Sequence, residues 1–300
     1  MKALSALLVA TLFQALVDRP LEQRTIPMLP RAPGALIVGR AVCPSTTWLL
    51  TDAADLVAVA VADRPPTMRL RRLTGLRADD RPWGLACLDG PVLWTLPSPR
   101  ALAQVTPDGI LVERISLDLP RIALFGADRR LIFQQLPVKD GAPVLQSSRP
   151  GAADRRAWAG LVSRRAATPE AELRLNLVAC GIGRNGMVPC WFGDQPHVSL
   201  SNGAEARTVS IPALRGPLVN QATPIADAAL VQGDRLWVLA ATRIAGQGQP
   251  AGGRLLRLDP QGNEIAHVDL APPARLIVAA DASRCLLLSL DGNLIEVYAR

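Results

Sequence analysis

Arg254-Leu-Leu-Arg-Leu-Asp-Pro-Gln-Gly-Asn-Glu-Ile-Ala-His-Val-Asp-Leu270 is followed, after a short break, by Ala274-Arg-Leu-Ile-Val-Ala-Ala-Asp-Ala-Ser-Arg-Cys-Leu-Leu-Leu-Ser-Leu-Asp-Gly-Asn-Leu-Ile-Glu-Val-Tyr-Ala-Arg300. The apolar residues of this stretch do not follow helical spacing. Leu255–Leu258 and Glu264–Leu270 flank Asp259-Pro-Gln-Gly-Asn263, where proline presets φ and Gly262 and Asn263 tolerate positive φ. Asp291-Gly292 separates Cys285–Leu290 from Leu294–Tyr298, and Asp-Gly between apolar runs is a strong hairpin signal. Leu276-Ile-Val278 and Leu286-Leu-Leu288 are apolar on both faces, as strands covered on two sides must be. The stretch therefore reads strand, turn, strand, turn, strand.

The same reading extends outward. Apolar or aromatic runs follow turns at Thr47–Leu50, Val92–Leu96, Leu131–Phe133, Pro189–Phe192, Leu236–Leu239 and Cys285–Leu288. With Trp48, Trp94, Phe133, Trp191, Trp237 and Leu287 as markers, they recur every 40 to 60 residues or so. Another apolar strand precedes each: Ala35–Arg40, Trp83–Cys87, Ile122–Phe125, Leu175–Cys180, Ala228–Val231 and Leu276–Ala280. Glycine and proline number 23 and 26, about one residue in six, spread evenly enough to punctuate many short strands. A repeat of this length carrying about four strands is the mark of a propeller blade. Two β-sandwiches in tandem would not explain one strand type recurring six times.

On these runs the chain resembles the six-bladed β-propellers of the NHL and TolB-like kind, over about 280 residues and in blade pattern alone. The resemblance implies an all-β fold, a six-bladed β-propeller of four-stranded blades in one domain over residues 20–300. The last unit has three strands. The stretch Leu21–Ala32 resembles the later stretches Val112–Ile122 and Ala206–Leu214, so the N-terminal strand is expected to close the last blade and remove an open edge. An irregular excursion is expected at about 147–172, where an outer strand is hard to find. Met1-Lys2 followed by an apolar run to Val17 reads as a signal peptide or N-terminal anchor over residues 1–19, which places the chain in the periplasm or outside the cell.

Hydrophobic residues make up 49% of the 300, ample for a core, and the net charge is +7. The arginines are scattered and aromatic residues are few, which argues against nucleic acid and for an arginine-coated surface, with a monomer expected. Two histidines, His197 and His267, leave little material for a zinc site or a Ser-His-Asp triad. Gly181-Ile-Gly183 precedes Arg-Asn-Gly186 in a strand–strand turn and is not a nucleotide loop. Of five cysteines, Cys180 and Cys190 face each other across a hairpin and form a candidate disulfide; Cys87 and Cys285 read as core.

No catalytic residue, metal ligand or cofactor emerges. The resemblance points to the channel face, where the inner strands begin. Arg81, Arg121, Arg174, Asp227 and Arg275 stand there, and four arginines around one opening would attract anions. The expected function is a binding or scaffolding module recognising a protein, a peptide or an anionic glycan. The alternative is a hydrolase, lactonase or lyase of the propeller kind, with calcium held by oxygens such as those of Asn176, Asn220 and Asp227.

Overall fold

The computed structural model describes residues 21–27, 35–88, 92–127, 129–134, 140–152, 154–215, 223–244 and 250–299. The expected signal peptide or anchor over residues 1–19, the Leu88-Asp-Gly90 turn and Asn220 lie in part or whole outside the described residues.

The chain is nearly all β, in blades arranged as a β-propeller. Strand β1 (Leu21–Ile26) is set apart from its neighbours in sequence. Then come antiparallel four-stranded sheets in chain order. The first holds β2 (Ile37–Val42), β3 (Thr46–Thr51), β4 (Asp55–Ala60) and β5 (Thr67–Arg72). The second holds β6 (Trp83–Cys87), β7 (Leu93–Ser98), β8 (Ala101–Val105) and β9 (Leu111–Ser116). The third holds β10 (Ala123–Ala127), β11 (Arg130–Gln134), β12 (Pro143–Ser148) and β13 (Arg156–Val162). A short helix, α1 (Pro169–Leu175), capped by the Thr168 hydroxyl, leads into the fourth. That sheet holds β14 (Val178–Cys180), β15 (Val188–Phe192), β16 (His197–Ser201) and β17 (Ala206–Ser210).

The last sheet has seven strands: β18 (Ile225–Leu230), β19 (Leu236–Ile244), β20 (Pro250–Leu258), β21 (Glu264–Ala280), β22 (Arg284–Ser289), β23 (Leu294–Ala299) and then β1. Strand β21 is 17 residues long. Its front pairs with β20 from Glu264 to Asp269, and its rear pairs with β22 from Ala274 to Ala280. All the marker aromatics fall on the second strand of a unit, on β3, β7, β11, β15 and β19, with Leu287 on β22.

The expected closure by the N-terminal strand is present. Strand β1 runs antiparallel to β23, with Leu21 opposite Ala299 and Ile26 opposite Leu294. Side chains reinforce the seam: Glu296, 6% exposed, accepts from Arg24 on β1 and pairs with Arg284, while the Tyr298 hydroxyl donates to Glu22 at 3.1 Å. The residues from 147 to 172 contain β13 and the start of α1. The strand is hard to read in sequence because Gly160 interrupts its alternation and the pairing with β12 shifts register between Pro143 and Leu145.

The core lies between the sheets as a ring of interfaces. Leu50, Leu56, Leu85 and Leu93 join the first and second sheets, and Trp94, Leu96, Leu124 and Leu131 the second and third. Ile132, Trp158, Val178 and Phe192 join the third and fourth. Trp191, Leu200, Leu230 and Val238 join the fourth to the front of the seven-stranded sheet. Trp237, Leu255, Ile277 and Leu287 pack that sheet's front against its rear, and Leu49, Val59, Val278 and Leu288 return to the first. Each such fully buried aliphatic side chain contributes about 1.5–3 kcal/mol. Polar links cross the same seams. The Thr47 hydroxyl donates to the Val278 carbonyl at 2.8 Å, Trp191 Nε1 to Ile225 at 3.0 Å and Trp237 Nε1 to Asp281 at 2.9 Å.

Candidate functional site

The innermost strands β2, β6, β10, β14, β18 and the rear of β21 surround a channel whose cavity measures about 880 Å3. They meet so closely that side chains would collide. Gly84 sits at φ +65°, where a Cβ would come 2.8 Å from that of Leu124. A Cβ on Gly181 would come 1.9 Å from the Ala228 carbonyl oxygen. Apolar side chains such as Ile37, Trp83, Phe125 and Leu276 supply much of the wall.

Among the described residues one ion pair joins charged groups of the lining. Arg40 on β2 meets Asp227 on β18 through both guanidinium nitrogens, with side chains 12% and 5% exposed. Arg40 also donates to the carbonyls of Ile277 at 2.7 Å and Cys180 at 3.4 Å. Asp227 accepts in addition from the backbone N–H groups of Ile277, at 2.7 Å, and Ala228, at 2.9 Å. This knot therefore ties β2, β14, β18 and β21 together. A buried charge needs such a partner, because its desolvation is otherwise uncompensated.

The residues expected at the channel mouth are distributed unevenly. Asp227 and Arg275 line the cavity. Arg275 donates to the Leu290 carbonyl at 3.2 Å and reaches that of Ala35 at 3.5 Å, while its Nε is buried with no hydrogen-bond partner among the described residues. Arg81, exposed before β6, lies off the lining and donates to the Asp80 carbonyl at 2.8 Å. Arg121, 4% exposed, also lies off it; its guanidinium stacks on Phe133, 4.1 Å from the ring centroid, and burial pushes its pKa down. Arg174 is exposed on α1. The three stand ahead of their inner strands by two residues or more, and none of them is among the lining residues.

Two lining arginines were not singled out in the sequence. Arg40 is legible in retrospect as a charge inside Ile37-Val-Gly-Arg-Ala-Val42, a strand with no other polar side chain, which demands a buried counter-ion. Arg184 opens the Asn185-Gly186 turn, both of whose residues have positive φ as a tight hairpin requires. Among the described residues, the charged groups of the lining are thus three arginines, 40, 184 and 275, and one aspartate, an excess of two positive charges. Asn176, entertained as a calcium ligand, has its amide engaged at the end of α1 by Arg164 and Glu172 backbone groups. Among the described residues no three of His, Cys, Asp and Glu converge as a metal site would require.

Two disulfides flank the channel. Cys180 and Cys190 are bonded across the β14–β15 hairpin, and Cys43 is bonded to Cys87, joining the ends of β2 and β6. The second pair corrects the reading of Cys87 as a core thiol: its partner comes from the adjacent sheet, 44 residues away. Cys285 is free and buried, and burial raises its thiol pKa well above the ordinary value. Disulfides are compatible with an extracytoplasmic location. His197 is half-buried, and desolvation followed by the Arg164 charge lowers its pKa; His267 meets Glu264 at 2.5 Å on an outer strand. Among the described residues no helix is long and apolar enough to cross a membrane.

No family model matches the sequence, and no curated protein matches it significantly. Among solved structures, the chain is similar to a calcium-binding protein, regucalcin, from Agrobacterium tumefaciens strain C58, at 14% identity over 94% of this chain and 96% of that one, with a TM-score of 0.56. It is similar to a streptogramin B lyase at 10% identity over 93% and 98% of the two chains, with a TM-score of 0.55. YCF48 from Cyanidioschyzon merolae is 12% identical over 90% of this chain and 84% of that one, with a TM-score of 0.52. What the chain shares with these proteins is the fold, a β-propeller.

Proposed function

We propose that the chain is an exported six-bladed β-propeller that binds an anionic ligand at the channel: the acidic groups of a protein or peptide, or an anionic glycan. The six-blade reading divides the long strand β21 at residues 270–274. Its front completes a four-stranded unit with β18, β19 and β20, and its rear another with β22, β23 and β1. With the four separate sheets this makes six.

The observation that carries the binding reading is the charge of the channel. Among the described residues its one lining carboxylate, Asp227, is held by Arg40 and two backbone N–H groups, and the charges of Arg184 and Arg275 have no carboxylate beside them in that lining. Low-dielectric walls concentrate such a field on an entering anion. The alternative, a propeller-type hydrolase, lactonase or lyase using calcium, would need carboxylates free to ligate, and Asp227 is already engaged.

The test is calorimetric titration of the purified chain with a Glu-rich decapeptide and with an oligogalacturonate. The double variant Arg184→Gln/Arg275→Gln is expected to bind about a hundredfold or more weakly, since each of the two charge-assisted hydrogen bonds contributes about 1.5–3 kcal/mol. Equal affinity for wild type and variant, with both folded, would sink the reading.

A further inference from the structure

A second cavity lies away from the channel, in the cleft between the first and second sheets. It measures about 320 Å3, at the small end of the roughly 300–1,000 Å3 that ligand sites occupy. Trp48 on β3, half-buried, is the aromatic residue of its lining. The strand register sets Trp48 opposite Ala58, and Ala58 opposite Arg69; two pairs along, on the same face, Thr46 faces Ala60 and Ala60 faces Thr67. Alanine at 58 and 60 leaves the space beside the ring unfilled.

Polar groups of both signs stand around that ring. Arg69 and Arg71 come from β5, Asp63 from the β4–β5 turn, and Asp108 from the β8–β9 turn of the next sheet. The latter turn is pinned in place, because Thr74 N–H donates to the Gly109 carbonyl at 2.9 Å and Leu111 N–H to that of Thr74 at 3.2 Å. Asp63 accepts from the Thr67 hydroxyl at 2.5 Å, and Arg71 donates to the Leu70 carbonyl at 3.1 Å. Arg69 and Asp108 make no side-chain hydrogen bond or ion pair with any described residue.

We propose that this groove binds a neutral saccharide, one pyranose ring lying on Trp48 with its hydroxyls bridging Arg69 and Asp108. The chemistry of the three groups selects that class. An indole face takes the apolar C–H face of a flat ring. A guanidinium only donates and a carboxylate only accepts, and a hydroxyl satisfies both. Among the described residues two arginines and two aspartates cancel at the lining, so their charges favour neither sign of ligand, in contrast to the channel.

The tryptophans provide the assay. Trp94, Trp158, Trp191 and Trp237 are buried, while Trp48 and Trp83 are half-buried, the latter in the channel wall. Fluorescence of the full chain is titrated with maltotriose, cellotriose and chitotriose, and with triglycine as a zwitterionic control. The expected result is a saturable change with at least one trisaccharide, kept in Trp83→Phe and lost in Trp48→Phe. Arg69→Gln, an exposed substitution that leaves the melt unchanged, is expected to weaken binding about tenfold. Arg184→Gln/Arg275→Gln is expected to leave it intact, which separates this site from the channel reading. The proposal is overturned if no trisaccharide gives a saturable change at millimolar concentration. A change that follows Trp83, ignores Arg69, or appears with triglycine alone overturns it equally.

Discussion

Replacing Arg40 with methionine removes the charge that neutralises Asp227 while keeping most of the aliphatic stem. Breaking a buried ion pair from one side costs about 3–5 kcal/mol, because the remaining charge is left in a medium that solvates it poorly. Asp227 would retain the N–H groups of Ile277 and Ala228, so the lower end, about 3 kcal/mol, is expected. Arg40 touches β2, β14, β18 and β21 at once, and the loss should therefore appear as one cooperative shift of the whole unfolding transition. Urea unfolding followed by tryptophan fluorescence and by far-ultraviolet circular dichroism measures it, with coincident curves expected. Asp227→Asn alone strands Arg40 in the same way. The double variant should cost well under the sum of the singles, with a coupling of about 2 kcal/mol. Additive losses, or an Arg40→Met variant within about 0.5 kcal/mol of wild type, would refute the claim that this pair holds the channel together.

The disulfides should differ in proportion to the loops they close. With separations of 44 and 10 residues, chain entropy gives about 4 kcal/mol for Cys43–Cys87 and about 2.7 kcal/mol for Cys180–Cys190; denaturant melts of the Cys43→Ser/Cys87→Ser and Cys180→Ser/Cys190→Ser variants check the order. A pH-dependent contribution is expected from Asp80, 5% exposed, which Arg114 meets through two hydrogen bonds of 2.7 and 2.9 Å. Those bonds hold the Asp80 carboxyl below the usual range against the upward push of burial. A depressed carboxylate pKa contributes stability that is complete above the unfolded value of about 3.9 and is lost as pH falls through the folded value. Arg114→Gln should therefore cost the same at pH 7 and pH 5 and progressively less below about pH 4, as urea melts at several pH values would register.

Local chemistry made much of the fold legible. Asp259 shows why: its carboxylate accepts from Gln261 and Asn263 N–H groups, so the turn is written in five adjacent residues. The closing strand was readable because β1 carries the same alternation as the internal outer strands it imitates. The site was harder. Arg40 and Asp227 are 187 residues apart, and nothing local in either strand names the other. Cys43 and Cys87 meet only because β2 and β6 stand side by side around the channel. Arg121 shows the opposite failure: its position before β10 was visible in sequence, but its stacking on Phe133 follows from side-chain direction, which a strand boundary uncertain by two residues cannot fix. Trp48 served as a repeat marker, and the alanines that uncover its ring come from register.

Anion binding at the channel is tested most directly by a pair of thermal melts on the purified chain, one with excess Glu-rich decapeptide and one with excess calcium against chelator. A ligand specific for the folded state at a hundred times its dissociation constant adds about 2.7 kcal/mol, a rise of several degrees for a chain of this size. A cationic channel whose aspartate is held by Arg40 predicts a rise with the peptide, abolished in Arg184→Gln/Arg275→Gln, and superimposed curves with calcium and chelator. A rise with calcium and none with the peptide would contradict it and place free carboxylates where the account puts an ion pair.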